Sequence, residues 1–382
     1  MRGTVWGSGD TVQASELKVI VEESSRRLLQ ISIPTVRFYL LTDIMGLEES
    51  DPRVQKAAHD CRMAARRRKL LETLRPDGTW PISRERRLAE ERGPGGSVGW
   101  TYITILRNLY DLAEYRTTMD EGYVKQALEK ILSWQSEDGY IPGPSYEFYP
   151  DTPYNGYALR MLLKFGMQKD PRVQRLIRWL LRMQRPDGGW VIPLLQDLKY
   201  YPPYRSMNTA MFHSQVARKI GMANYTPSDY YKAPSCIWTT MMVVRGFVQS
   251  FDLGALPEVR RGAEYFLDRF FMKNYYSSFL RSDDNWTKLK YPTYFGSGMC
   301  ALDILTWMGY GAKDSRMEKP ISWLLGMRMQ DGLWCQSDRP HPEKDQNITE
   351  VCLSVINRYA QSMEGLPFGR EAEIELGRTA PV

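Results

Sequence analysis

Asp170-Pro171-Arg172-Val173, then Ile177-Arg178-Trp179-Leu180-Leu181 and Asp187-Gly188-Gly189-Trp190, returns later as Asp314-Ser315-Arg316-Met317, Ile321-Ser322-Trp323-Leu324-Leu325 and Asp331-Gly332-Leu333-Trp334. In both stretches the second aspartate follows the first by 17 positions and the second tryptophan follows the first by 11. Intervals shared in this way mark a repeated structural unit. An earlier copy opens with Asp51-Pro52-Arg53-Val54 and closes with Asp77-Gly78-Thr79-Trp80, leaving room for an extra helical segment around an arginine run. Another closes with Trp134-Gln135-Ser136-Glu137-Asp138-Gly139-Tyr140, and a degenerate one, Pro257-Glu258-Val259 through Phe270, lacks the Asp-Gly ending.

Each copy reads as a helix with its own stops. Asp170 can cap the free backbone N–H groups, and Pro171 falls at the first helical position, where a missing donor costs nothing. Val173, Leu176, Ile177, Leu180 and Leu181 then form one apolar stripe at helical spacing. The helix ends at Arg185-Pro186-Asp187-Gly188, because proline disfavours helix in the residue before it and Asp-Gly forms a turn. That turn throws Trp190 back onto the helix end, where Gln184 can bridge the turn's backbone groups.

Between these amphipathic segments lie helices that are hydrophobic around much of their circumference, the mark of burial: residues 35–45, 100–112, 154–165, 237–248, 294–308 and 349–359. Gly46 and Gly309 each stand five positions before the next capping aspartate. The unit is a buried inner helix, a glycine turn, a capped outer helix and an Asp-Gly-aromatic turn. Six inner helices with about five outer partners suffice to close a ring, so an all-α fold of the α/α toroid class is expected. Residues 1–33 are expected to be an N-terminal lead-in, 34–360 a single toroid domain interrupted by an insertion at 191–235, and 361–382 a C-terminal tail. The insertion, with Tyr200, Tyr201, Tyr204, Tyr225, Tyr230 and Tyr231 among prolines, reads either as a lid or as a surface crossing.

Composition narrows the class. The 382 residues are 43% hydrophobic and 12% aromatic, enough for a large core, and 25% charged, enough to keep the surface wetted. No apolar run long enough to cross a bilayer occurs, and the start of the chain does not read as a signal peptide, so a cytoplasmic location is expected. Five cysteines, Cys61, Cys236, Cys300, Cys335 and Cys352, read as free thiols. The net charge of +6 is modest, and the dense run Arg62, Arg66, Arg67, Arg68 and Lys69 reads as a solvated helix face. No nucleic-acid-binding motif accompanies it; peripheral membrane contact stays open.

The run Trp179-Leu180, Gln184, Gly188, Trp190 resembles the glutamine-tryptophan repeat of squalene and oxidosqualene cyclases, and the alternation of helices resembles that of protein prenyltransferase β-subunits. The resemblance covers about residues 34–360. It implies inner helices around a deep apolar pocket that receives a polyprenyl chain. Two signatures of those families are missing. Squalene-type cyclases start an inner helix with Asp-x-Asp-Asp, whereas Cys236–Phe247 has no acid in its first four places and Asp151-Thr152-Pro153-Tyr154 keeps only the first aspartate. Prenyltransferases hold zinc through Asp-x-Cys and a later histidine. No Asp-x-Cys occurs here, and of the three histidines His59, His213 and His341 only the last has neighbours, Cys335 and Asp338, spaced for a metal. No metal and no cofactor are expected.

The chemistry that remains is aromatic and carboxylic. Trp100, Tyr102, Tyr154, Tyr157, Trp238, Tyr294 and Phe295 cluster at the inner-helix starts, where aromatic faces would steady a carbocation without offering it a nucleophile; core packing is the competing reading. Asp151, Asp303 and Glu350 lie on or beside inner helices, and burial would raise their pKa values and make them acids. Each taken singly reads first as a cap or a hydrogen-bonded helix residue, and Asp151 in particular precedes a helix start. The leading expectation is an isoprenoid ligand, bound or transformed, with a non-catalytic toroid scaffold or a polysaccharide lyase or hydrolase as alternatives.

Overall fold

The computed structural model describes residues 12–92, 99–143, 150–193, 205–208, 211, 226–227, 234–274, 283–293, 296–337 and 341–375. Every regular element among them is helical, so the chain is an all-α protein. In chain order the helices are α1 (Ala14–Ile31), α2 (Pro34–Tyr39, continued by a π-helical turn over Leu40–Ile44), α3 (Pro52–Met63), α4 (Ala65–Thr73), α5 (Arg84–Arg92), α6 (Gly99–Glu114), α7 (Val124–Ser133), α8 (Thr152–Lys164), α9 (Pro171–Arg182), α10 (Ile237–Phe247), α11 (Phe251–Gly254), α12 (Pro257–Leu267), α13 (Gly298–Trp307), α14 (Glu318–Gly326), α15 (Pro342–Met363) and α16 (Arg370–Glu375). They fall into two compact units. One comprises residues 1–64, 267–273 and 282–381; the other comprises 65–266 with 274–281.

Inner and outer helices alternate within each unit. In the second unit, α8 is buried almost all round and packs on α10, while α9 between them buries only Val173, Leu176, Ile177, Trp179 and Leu180. In the first, all ten residues of α13 are buried, and α14 buries one stripe. The lead-in carries α1, which packs along α15.

The repeated turns share one hydrogen-bond pattern. The indole N–H of Trp80, Trp190 and Trp334 donates to the carbonyl ten residues earlier, that of Leu70, Leu180 and Leu324, at 2.7–2.8 Å. Gly78, Gly139, Gly188 and Gly332 all have φ between 79° and 103°, a region open to glycine at no steric cost. Three of these glycines also press on the next outer helix: a Cβ on Gly78, Gly139 or Gly188 would stand 2.2, 2.7 or 2.9 Å from the carbonyl oxygen of Gln126, Arg175 or Arg261. The carboxamide of Gln135 bridges Gly139 O and Arg172 O, both at 2.8 Å, and that of Gln184 bridges Gly188 O and Glu258 O at 2.7 and 2.6 Å. Each turn is thus stitched to the helix that follows it. The degenerate copy has a substitute: Trp286, fourteen residues on, donates its indole N–H to Met272 O at 2.8 Å and lies against Phe270.

The outer helices are capped as their spacing predicts. Asp51, Asp170 and Asp314 accept from the backbone N–H two residues on, and Arg53, Arg172 and Arg316 fold back to ion-pair with them. The arginine run is only partly solvated. Arg67 is buried and pairs with Glu121 and the Thr117 hydroxyl, and Arg66 reaches Asp111 at 2.6 Å.

Candidate functional site

Asp151 stands one residue before α8. Its backbone carbonyl accepts from Asn155 N–H at 3.0 Å, the first bond of the helix. Asn155 also accepts from Ile141 N–H and donates to Ile141 O, both at 2.8 Å, which ties the segment after the second turn to the start of α8. That clamp brings Gly143 against the aspartate so closely that a Cβ there would lie 2.1 Å from Asp151 Cβ. The packing leaves Asp151 8% exposed and Thr152 fully buried.

Neither side chain is fully satisfied. Asp151 occupies the capping position without making a side-chain cap, and its Oδ1 has no hydrogen-bond partner; Thr152 Oγ1 has none either. A buried carboxylate with no cation beside it and one oxygen unpaired is costly, so the proton is held more tightly. Burial pushes the Asp151 carboxyl up to about 7, against a smaller opposing pull from the Tyr154 backbone N–H. Near neutral pH the group is then close to half protonated and can donate an O–H.

Two of the predicted aromatic residues, Tyr102 and Tyr154, stand beside it. Tyr102, on α6, is fully buried, and burial, then Asp151 and Tyr154, hold its phenol well above the usual value. Its hydroxyl donates to Tyr154 O at 3.3 Å, and its ring lies 6.2 Å from Tyr154 and 5.8 Å, edge-on, from Trp134. Trp100, at the start of α6, carries the Arg86 guanidinium 4.6 Å over its ring. Tyr157 turns its hydroxyl to Leu106 O at 3.0 Å, and Trp238 is fully buried on α10. Tyr294 and Phe295 lie outside the described residues.

The other two acids belong to the first unit and have partners. Asp303, on α13, is also 8% exposed but accepts from Arg358 Nη1 at 2.9 Å. Glu350, on α15, accepts from Ser354 Oγ at 3.1 Å. Both press on Cys352, whose thiol is pushed well above its usual range by burial first and by Glu350 and Asp303 next; such a thiol is inert.

No group of three or more histidine, cysteine, aspartate or glutamate side chains placed to hold a metal occurs among the described residues. Cys335 is half-buried and His341 is exposed; Asp338 lies outside the described residues.

No known protein family and no curated protein matches the sequence. Similar solved structures include type II terpene cyclase MstE from Scytonema without ligand, at 13% identity and TM-score 0.43 over 93% of this chain and 100% of that one. A variant of MstE in complex with geranylgeranyl dihydroxybenzoate, its substrate, aligns at 13% identity and TM-score 0.43 over 91% of this chain and 98% of its own. A protein from Actinoplanes aligns at 14% identity and TM-score 0.42 over 90% and 99%. Likeness at this level carries no conclusion about this chain.

Three residues of the site escape sequence reading. Trp134 looks like a turn residue, Gly143 like an ordinary loop glycine and Thr152 like a helix-start residue. A signal was present for Trp134, which is joined to the Gln135 of the repeat at a position where the third copy has Met183.

Proposed function

We propose that the chain binds an isoprenoid and that Asp151 is the acid that starts its cyclisation. The observation that carries this reading is a buried carboxyl with no partner for Oδ1, set beside Tyr102 and Tyr154, with Trp134 edge-on to the Tyr102 ring. In the reaction the Asp151 O–H bond breaks as a C–H bond forms at one carbon of a terminal double bond. The alkene pair supplies the electrons, and the positive charge appears on the more substituted carbon. Attack by the next double bond closes a ring and passes the charge on, until loss of a proton to solvent ends the sequence. Asp151, left as a buried carboxylate, takes a proton back from solvent. Each aromatic face supplies roughly 0.5–2 kcal/mol to the cation, and a positioned general acid contributes about 10²–10⁴ in rate. Isoprenoids dissolve in bilayers, so peripheral membrane contact belongs to the same reading.

The test is a pair of measurements on the parent and Asp151→Asn. Binding of prenyl diphosphates, squalene and prenylated aromatics is followed by tryptophan fluorescence, and turnover by product analysis. The asparagine variant is expected to bind and to form no product. Equal turnover by both proteins overturns the acid role. Binding of an oligosaccharide in place of every isoprenoid favours a lyase or hydrolase, and binding of neither class favours a scaffold.

A further inference from the structure

Three inner helices are clamped to the preceding turn in one register. Thr240 accepts from Trp190 N–H at 2.9 Å, Thr349 from Trp334 N–H at 3.0 Å, and Asn155 from Ile141 N–H at 2.8 Å. The clamped residue stands three positions after the turn aspartate in each case, Asp187, Asp331 or Asp138. Four residues before the clamps stand Cys236, Asp345 and Asp151. Asp345 accepts from Gln336 N–H at 3.0 Å and from His341 N–H at 2.8 Å, one bond to each carboxylate oxygen. Cys236 Sγ accepts from Asn274 Nδ2 at 3.4 Å. Of the three, Asp151 is the one whose Oδ1 is left without a partner.

The segment after each clamped residue makes the difference. Gln336, whose N–H bonds Asp345, follows its clamped residue by two positions, and at the same place in the second copy stands Gly143. Gly143 lies against the root of the acid: a Cβ there would stand 2.1 Å from Asp151 Cβ and 3.1 Å from its Cγ. Proline flanks it on both sides, Pro142 and Pro144, and a prolyl nitrogen has no hydrogen to donate. We propose that Gly143 is a positioning residue, whose bare backbone between two prolines covers Asp151 while denying its Oδ1 a main-chain donor. Any larger residue displaces either the cover or the carboxyl. Among the described residues the titratable neighbours of Asp151 are Tyr102 on α6 and Tyr154 on α8, and burial is the largest influence on the carboxyl. Moving the cover therefore admits water or an N–H, and both favour the carboxylate.

This role for Gly143 rests on the reading of Asp151 as the acid, and the two are tested apart. The Asp151 carboxyl is titrated by carbon NMR in the full-length parent and in Gly143→Ala, and turnover is measured against pH in both. The alanine variant should lower the midpoint by at least about one pH unit, a tenfold loss of proton affinity, and should move the pH profile of turnover by the same amount. Gly332→Ala, strained at φ 85° in the last turn, should lower the melting temperature and leave the Asp151 midpoint in place, which separates placement from stability. Should Gly143→Ala fail to fold, Pro142→Ala takes its place: it restores an N–H to the cover without adding bulk and should lower the midpoint by at least about half a unit. A parent midpoint in the ordinary aspartate range defeats both the acid and its positioning residue. A midpoint near 7 in the parent that stays there in folded Gly143→Ala, or in Pro142→Ala where that variant replaces it, overturns the role of Gly143 alone.

Discussion

Asp151 and Asp303 are equally buried, at 8% exposure each, yet they are opposite kinds of residue. Asp303, on α13, meets the Arg358 guanidinium at 2.9 Å, so its charge is answered by a partner. Asp151, at the start of α8, has only the Tyr154 backbone N–H to oppose its desolvation, and its pKa climbs to about 7. Burial alone therefore does not make an acid; burial without a cation does. The turns sharpen the contrast, because their glycines, indoles and carboxamides are hydrogen-bonded or closely packed. In such a molecule an unsatisfied carboxyl marks a place where stability is surrendered, and such places gather at functional sites.

The largest expected effect is on turnover. Asp151→Asn should lower it by about 10²–10⁴, while Asp303→Asn should leave the chemical step intact in product assays; equal losses would erase the distinction between the two acids. Next comes stability at Asp303. Arg358→Met strands a buried carboxylate and should cost roughly 3–5 kcal/mol in urea unfolding at pH 8, whereas a cost below about 1 kcal/mol would mean that the pair is solvated.

The pH dependence of stability tests Asp151 directly. Its folded pKa lies above the unfolded value, so the folded state binds the extra proton, and stability is full below about pH 4 and declines as pH rises to about 7. A shift of this size corresponds to roughly 4 kcal/mol. Asp151→Asn should flatten that slope and be more stable than the parent at pH 8, and an unchanged slope would show that Asp151 ionises normally. Smallest is the outer-helix cap. Asp170→Ala should cost about 1 kcal/mol in thermal unfolding, with no change in the pH slope between 4 and 7, which separates a carboxylate that caps from one that does not.

How far these differences are legible in the sequence follows from their range. The outer helix and the turn at Trp190 are written within some twenty residues, Asp170 to Trp190, so the cap, the glutamine at the turn and the returning indole could all be anticipated. The fourth copy could not, because Trp286 reaches its carbonyl across fourteen residues where the others span ten. The three acids were visible as candidates beside buried helices, but what separates them is long-range: Asp303 finds Arg358 fifty-five residues on. Asp151, in the capping position before Pro153, should by local rules have bonded its own helix. The fold instead pins that helix start to Ile141 through Asn155 and packs Gly143 against the carboxyl. The reading of the arginine run as a solvated face misses only Arg67, for the same reason, since its partners Thr117 and Glu121 lie 50 and 54 residues away.

The most direct test is the carboxyl titration of Asp151 itself, followed by carbon NMR of aspartate-labelled protein and assigned by the resonance that disappears in Asp151→Asn. A midpoint near 7 is the expected result. A midpoint for Asp151 in the ordinary aspartate range, near 4, would contradict the proposal that this residue is the resident acid.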